Sequence, residues 1–284
     1  MSKKYIELRG VIEISNYCLL DCKFCGNAKS SNIKRYRLTK NEVIRSVDQA
    51  YELGIKVIHL ASGYDLNYPK SDLIDIIKYI KSKNQIIELA IGKRNLEEFK
   101  EYYEAGADNI ILKFETSNQF LLKSIGKNNI DLLELKNYLL KLKKIGFRVG
   151  SGNIIGLPNQ TLDDIEADIE YLKELDLDFV STSVFQPNVD SKFKFEKKGN
   201  DKLGYQFLKK LKEDKKYKEI RFSLNSTLGD YKWIFLKEFG GMISLNLTPK
   251  NDYSLYNGQN RKKLSFLEIK ELCRKKGLEL RWKR

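Results

Sequence analysis

Three cysteines fall within eight positions, in Ser15-Asn16-Tyr17-Cys18-Leu19-Leu20-Asp21-Cys22-Lys23-Phe24-Cys25-Gly26, separated by three and then by two residues. Thiolates are soft ligands that suit iron–sulfur clusters or zinc. A structural zinc site closes a tetrahedron with four ligands. The fourth is hard to find here, because His59 sits inside a strand-like run and Cys273 lies in a final helical stretch. Three cysteines on a four-iron cluster would instead leave one iron open to a small molecule. The plainer alternatives are buried free thiols or an incomplete zinc knuckle; Asp21 and Lys23 among the cysteines argue for an exposed loop rather than a core.

These residues must be held by a larger framework, and the 284-residue chain has one. Its apolar fraction of 42% runs along the whole length, enough to bury a core. No apolar run approaches a membrane span, and the N-terminus enters a strand-like segment with no signal-peptide apolar region, so a cytoplasmic protein is expected. Four cysteines, three of them clustered, are no disulfide framework. With 52 Lys and Arg against 38 Asp and Glu the net charge is +14, which invites a nucleic-acid reading. The lysines recur at helical spacing (Lys78, Lys81, Lys83; Lys141, Lys143, Lys144; Lys209, Lys210, Lys212), which favours a solvated helix face over an RNA-binding one.

An amphipathic helix ending near a small or polar residue, followed by a short β-branched run, recurs along the chain. It leads into Ile55–Leu60, Asn109–Phe114, Phe147–Ile155, Phe179–Phe185 and Met242–Leu247. With Tyr5–Ser15, Gln85–Ile91 and Ile220–Asn225 there are about eight βα units, the number that closes a TIM-type (βα)8 barrel. The strands read as nearly all apolar, as parallel strands covered on both faces do. An open doubly wound sheet is the alternative, but its usual phosphate loop after the first strand is replaced here by the cysteines. No linker or second domain is visible, so a single α/β domain over residues 1–284 is expected.

The C-x3-C-x2-C spacing with an aromatic before the last cysteine resembles the signature of the radical S-adenosylmethionine (SAM) enzymes, and further features follow in that family's order. The resemblance implies a radical SAM barrel in which Cys18, Cys22 and Cys25 ligate a [4Fe–4S] cluster. SAM would chelate the open iron, with the backbone near Phe24 passing the adenine. Reductive cleavage would then release methionine and a 5′-deoxyadenosyl radical. Ser62-Gly63 sits where the family has its Gly-Gly-Glu-like motif for the amino group of SAM. Tyr64 takes the acidic place, which leaves Asp65 or backbone carbonyls for that duty. Glu115 matches the carboxylate that holds the ribose hydroxyls, with Thr116 and Ser117 available as helix caps. Gly152 to Asn159 resembles the G-x-I-x-G-x-x-E motif, which puts Ile154 against adenine and Asn159 in place of Glu.

Asn32 to Thr39, Gly152 to Asp164 and Leu245 to Pro249 followed by Tyr253 and Tyr256 are similar to the group containing the hydrogenase maturase HydE, methylornithine synthase and biotin synthase. Likeness to that group implies substrate contacts from Asn225, Thr227, Asn246 and Thr248, a small-molecule substrate and a reductant such as ferredoxin or flavodoxin. The sequence also departs from the group: the first strand begins almost at once, with no N-terminal helical extension, and an Arg that relatives place near the SAM carboxylate falls on Leu135, with Lys136 beside it. Only Cys273 remains for a second cluster, which disfavours sulfur insertion of the biotin- or lipoyl-synthase type unless a partner protein donates the sulfur. A basic RNA-associated iron–sulfur or zinc protein without radical activity is the reading from another class.

Overall fold

In the computed structural model, residues 5–128, 130–249 and 264–280 are described; Tyr253 and Tyr256 lie outside them. The elements alternate from the start. Strand β1 (Tyr5–Ser15) and helix α1 (Lys40–Glu52) precede β2 (Val57–Ser62), α2 (Lys70–Ser82), β3 (Ile86–Ala90) and α3 (Leu96–Glu104). Then come β4 (Asn109–Ile111), α4 (Gln119–Ser124), α5 (Leu132–Ile145), β5 (Arg148–Ser151), β6 (Ile154–Ile155) and α6 (Leu162–Glu174). The remainder comprises β7 (Phe179–Val180), β8 (Ser183–Val184), α7 (Asp201–Glu213), β9 (Arg221–Phe222), α8 (Tyr231–Phe239), β10 (Gly241–Asn246), α9 (Phe266–Lys275) and β11 (Glu279–Leu280). All pairings between these strands are parallel, in the order β10-β1-β2-β3-β4-β5-β7-β9. A parallel bridge between Ser223 and Met242 joins β9 to β10 and completes the ring. The barrel anticipated from the repeat is therefore present, and the open sheet is not.

Two expected strands break. Phe147–Ile155 divides into β5 and β6, and Phe179–Phe185 into β7 and β8, with β6 and β8 pairing on their own above the wall. At the break Gly152 lies so close to the neighbouring strand that a Cβ would stand 1.9 Å from the Ser181 carbonyl oxygen. Below it, the Phe179 ring fills the space a side chain at Gly150 would need.

The expectation of strands apolar on both faces needs correction, because β1 alternates. Ile6, Leu8, Ile12 and Ile14 belong to the core between the wall and the helices, packed with residues such as Val43 and Val47 of α1 and Ile76 and Ile80 of α2. Burying each such side chain is worth about 1.5–3 kcal/mol. Arg9 and Glu13, at the alternate positions that point to the other face, line a central cavity. Inside the ring, Arg9 bonds to Glu88 and, through Nε, to Ser244 at 2.8 Å; His59 Nδ1 stands 2.5 Å from the same Glu88 oxygen. Nearer the N-terminal rim Arg221 pairs with Glu7 at 2.6 Å. This barrel is filled with charge where a typical one holds branched aliphatic layers.

Most of the lysines flagged by their spacing pair with acids on neighbouring elements: Lys81 with Asp108, Lys83 with Asp48, Lys143 with Asp176, Lys209 with Glu238 and Lys210 with Glu166. They read as solvated helix faces. Among the described residues no helix is long and apolar enough to cross a membrane.

Burial works against the Glu88 carboxylate, but Arg9, the His59 hydrogen bond and Arg221 outweigh it and hold the group down to about 2. A carboxyl depressed in the folded state stabilises the fold above its unfolded value, and that contribution is lost as pH falls through the folded one. Wild-type stability should therefore drop between about pH 4.5 and 2, and Glu88→Gln should flatten that part of the profile in urea titrations.

Candidate functional site

The C-terminal ends of the strands open into a cavity of about 1160 Å³. Its wall includes Cys18, Cys22, Phe24, Cys25, Ser62, Gly63, Glu115, Ile154, Asn225 and Thr227, ten residues singled out from the sequence and drawn from five segments of the chain. Asn246 and Thr248 are not part of that wall. The Asn246 Oδ1 accepts from the Thr248 amide at 2.8 Å, and the Thr248 hydroxyl accepts from the Glu13 amide at 2.9 Å, so both stitch the end of β10 to β1.

All three cysteines are free thiols. The loop that carries them is fastened from three sides. Lys23 N–H donates to the Ile125 carbonyl, Phe193 N–H to the Lys23 carbonyl, and Leu19 N–H to the Tyr64 carbonyl. Arg35 donates to the carbonyls of Asn16, Asn27 and Ala28, tying the two ends of the loop together. Burial pushes the Cys22 thiol up to about 11 and the Cys25 thiol up to about 12. Neither is a thiolate at neutral pH unless a metal's charge holds it so. The backbone amides of Leu20 and Tyr64 both donate to Cys18 Sγ, at 3.4 and 3.3 Å, the kind of bond that steadies a cluster ligand. Among the described residues no three His, Cys, Asp or Glu side chains converge on one metal ion. Three cysteines on one loop are the donor set of a four-iron cluster with one iron left open, whereas a closed zinc site takes four ligands.

The loop after β2 approaches these cysteines closely. A Cβ on Gly63 would lie 2.2 Å from the Tyr17 carbonyl oxygen and 2.8 Å from the Cys18 side chain, so only glycine fits. Asp65 does not face the cavity. Its carboxylate accepts from Arg37 at 2.7 and 2.8 Å and from the Ser15 hydroxyl at 2.6 Å, and although burial works against it, these partners hold it below the usual carboxylate range. It braces the loop from behind. The polar atoms left toward the cavity here are the backbone and Ser62, whose hydroxyl donates to the Gly63 carbonyl.

Glu115 stands at the end of β4 with φ 70°, in the left-handed region that costs a side-chain-bearing residue energy. It is bridged to Asn153, with the Ile154 amide donating to its carbonyl at 2.8 Å. Lys127 Nζ lies 2.9 Å and Lys113 Nζ 3.3 Å from the carboxylate; burial raises the Glu115 carboxyl, and these two cations more than reverse it. Its buried Oε2 has only the Lys113 ammonium at 3.3 Å and no well-aligned hydrogen bond, which leaves acceptor capacity there. A buried carboxylate oxygen with an open acceptor at a cavity wall is what a ribose diol would satisfy. Ile154 packs with Leu121, Leu122, Leu157 and Phe185 in a small second core that Phe24 joins, an apolar shelf beside the cysteines.

Several site residues escaped the sequence reading. Lys127 was missed, although it is buried between Glu115 and the thiols of Cys22 and Cys25; burial depresses its ammonium, and Glu115 and Cys22 raise it above the ordinary lysine value. Asp168 on α6 was missed too. It accepts from the Ser117 amide and hydroxyl and from Asn153 Nδ2, and so clamps the strained Glu115 turn; burial pushes its carboxyl up to about 6. The cap of α4 is Asn118, which accepts from Phe120 and Leu121 amides, while the expected caps Thr116 and Ser117 turn to Asp168. Leu135 lines the cavity, but Lys136 pairs with Glu174 at 3.0 Å outside it and supplies no cation. Asn159 is an exposed turn residue with φ 65°, away from the cavity wall. Asn225 and Thr227 face the cavity while bonded to each other, with Asn225 Nδ2 also donating to Ser183 at 2.8 Å.

Residues 12–172 match the Radical SAM superfamily, and the chain belongs to it. The [FeFe] hydrogenase maturase subunit HydE of Thermotoga maritima is 37% identical over 196 residues, covering 69% of this chain and 56% of that protein. Biotin synthase of Methanococcus maripaludis is 26% identical over 194 residues, 66% of this chain and 58% of that one. The chain thus spans about half the length of the curated relatives it matches. Among solved structures, methylornithine synthase (PylB) superposes with a TM-score of 0.84 over 98% of this chain and 84% of that one, at 19% identity. HydG of Carboxydothermus hydrogenoformans gives 0.78 over 97% and 67%, also at 19% identity. At such identities the structural likeness speaks for the fold alone.

Gly63→Ala should displace the Tyr17–Cys18 backbone. We expect a loss of about 1–3 kcal/mol in urea unfolding and faster proteolytic cleavage within the cysteine loop.

Proposed function

We propose that the chain is a radical SAM enzyme acting on a small molecule held inside the barrel, of the kind to which HydE and methylornithine synthase belong. The observation that carries this reading is the meeting of three free thiols, an apolar shelf and a buried, partly unsatisfied Glu115 carboxylate at one cavity wall. Cys18, Cys22 and Cys25 would hold a [4Fe–4S] cluster, and Glu115 the ribose of SAM. Phe24 and Ile154 would flank the adenine, and the backbone around Ser62 and Gly63 the amino group. Bound there, the cluster and SAM supply one-electron cleavage of the sulfonium to a 5′-deoxyadenosyl radical.

The chain's own residues do the rest. Lys127 neutralises Glu115 and faces the cysteine sulfurs, so the carboxylate stays ionised and oriented in a place that burial would otherwise make costly. Asp168 keeps the Glu115 turn in its strained conformation. The polar interior beneath, with Arg9 and Glu13, would bind the substrate, and the cysteine loop would cover the reacting atoms. The reductant would be a small electron carrier such as ferredoxin or flavodoxin, and the compartment the cytoplasm. Sulfur insertion from a second cysteine-bound cluster is disfavoured: Cys273, the one remaining cysteine, is buried on α9, and the β11 strand that follows α9 pairs with β1 at Tyr5 and Ile6, the end of that strand opposite the cysteine loop.

Anaerobic reconstitution should give about four iron and four sulfide per chain, and dithionite with SAM should release 5′-deoxyadenosine. Cys22→Ala should lose both; retained cleavage would refute the assignment. Lys127→Met should keep the iron but weaken SAM binding in equilibrium dialysis by about tenfold, the equivalent of about 1.4 kcal/mol.

A further inference from the structure

The interior charge below the cysteines contains a group that the chemistry above leaves unused. The chain has one histidine. On β2 it alternates with the helix-facing Ile58 and Leu60, so His59 points to the barrel axis, where it lines the cavity with Arg9 and Glu13. His59 and Glu88 are register partners on adjacent strands, which brings their side chains together. One Glu88 oxygen receives both Arg9 Nη1 and His59 Nδ1, the latter at 2.5 Å. A carboxylate paired with a guanidinium only accepts hydrogen bonds, so the proton between imidazole and carboxylate belongs to Nδ1. A neutral ring protonated there leaves a lone pair on Nε2. The Arg9 charge beside it, together with burial, keeps the ring neutral against the pull of Glu88.

Among the described residues Nε2 has no hydrogen-bond partner, although the ring is almost wholly buried. An imidazole with a purely packing role would have both nitrogens satisfied or turned to bulk solvent. Here one nitrogen is anchored by a carboxylate that is itself anchored by Arg9, and Arg9 is held in turn by Ser244. The other nitrogen faces the chamber. The arrangement fixes tautomer and ring orientation in advance of any ligand.

We propose that His59, oriented by Glu88, presents Nε2 as the acceptor for an N–H or O–H donor on the substrate within the barrel. This rests on the reading that the barrel interior holds the substrate. It narrows the substrate class to molecules with a protonated amine, amide or hydroxyl that can reach below the SAM site. Glu88 and Arg9 act as positioning residues.

Because the chain has a single histidine, an imidazole nitrogen-15 spectrum reports on His59 alone. In the full chain at neutral pH, we expect Nδ1 at the protonated shift and Nε2 at the unprotonated one. Glu88→Leu, which leaves Nδ1 without that acceptor, should abolish the fixed tautomer, giving averaged shifts. Diethyl pyrocarbonate, which acylates an unprotonated ring nitrogen, should add its mass to the His59 peptide of the folded wild type. A proton on Nε2, a doubly protonated ring, or a His59 that stays unmodified while surface groups react would each overturn the proposal. The wild-type measurements suffice should the variant fail to fold. Both readouts precede loading of cluster or SAM, so their failure would leave the radical SAM reading standing. Failure of reconstitution would remove the substrate reading while leaving the tautomer as found.

Discussion

The structure depends on a ring of strands closing around charge. On β1 the apolar residues Ile6, Leu8, Ile12 and Ile14 face the helices, which frees the alternate positions to carry Arg9 and Glu13 inward. Charges inside a protein are tolerated only when paired and hydrogen-bonded. Glu88 takes Arg9 and His59 on one oxygen, while its other oxygen is buried without a hydrogen-bond partner. Because stability comes from the layer between wall and helices, the axis need not be filled with aliphatic side chains and a polar chamber can persist there.

The rim above the chamber uses the same logic on a smaller scale. Loops that would otherwise wander are locked by buried ionic and polar hubs: Asp65 with Arg37 behind the Gly63 turn, Asp168 behind Glu115, and Arg35 across the ends of the cysteine loop. Each hub sits one layer away from the cavity. The atoms turned into the cavity are then sulfurs, backbone groups, an apolar shelf and a carboxylate with an open lone pair. Rigid support behind and unsatisfied groups in front is the arrangement a preorganised site requires. The positive φ of Glu115 belongs to it, since that strain persists only because the surroundings hold the turn in place.

Much of this was legible in the residues. The period of helix, small residue and β-branched run marked five of the wall strands, and strand-like runs added beside it the other three, because each βα unit is a local pattern. The C-x3-C-x2-C spacing placed three sulfurs on one loop for the same reason. Where the reading went astray, distant residues had intervened. The continuous run Phe147–Ile155 breaks because Gly152 meets Ser181. Lys136 turns to Glu174 rather than to the cavity, and Asp65 is claimed by Arg37. Thr248 accepts from the backbone of Glu13 on another strand instead of facing the cavity. Some signals were present and unread, among them the single acidic residue in Ile86-Ile87-Glu88-Leu89-Ala90 and the alternation of charge in β1.

Taken alone, the sequence determined the kinds of element, their order, and the loop that carries the sulfurs, since these follow from periodicity and spacing over a few tens of residues. Only the folded chain decided which side chains share a site: Arg9 with Glu88 across 79 positions, Ser117 with Asp168 across 51, and Lys127 with Glu115 and the cysteines. The physical reason is that electrostatic and hydrogen-bond partners are chosen by distance in space and by the absence of competing water. Both are set when the ring closes, and neither is written in the neighbourhood of any one residue.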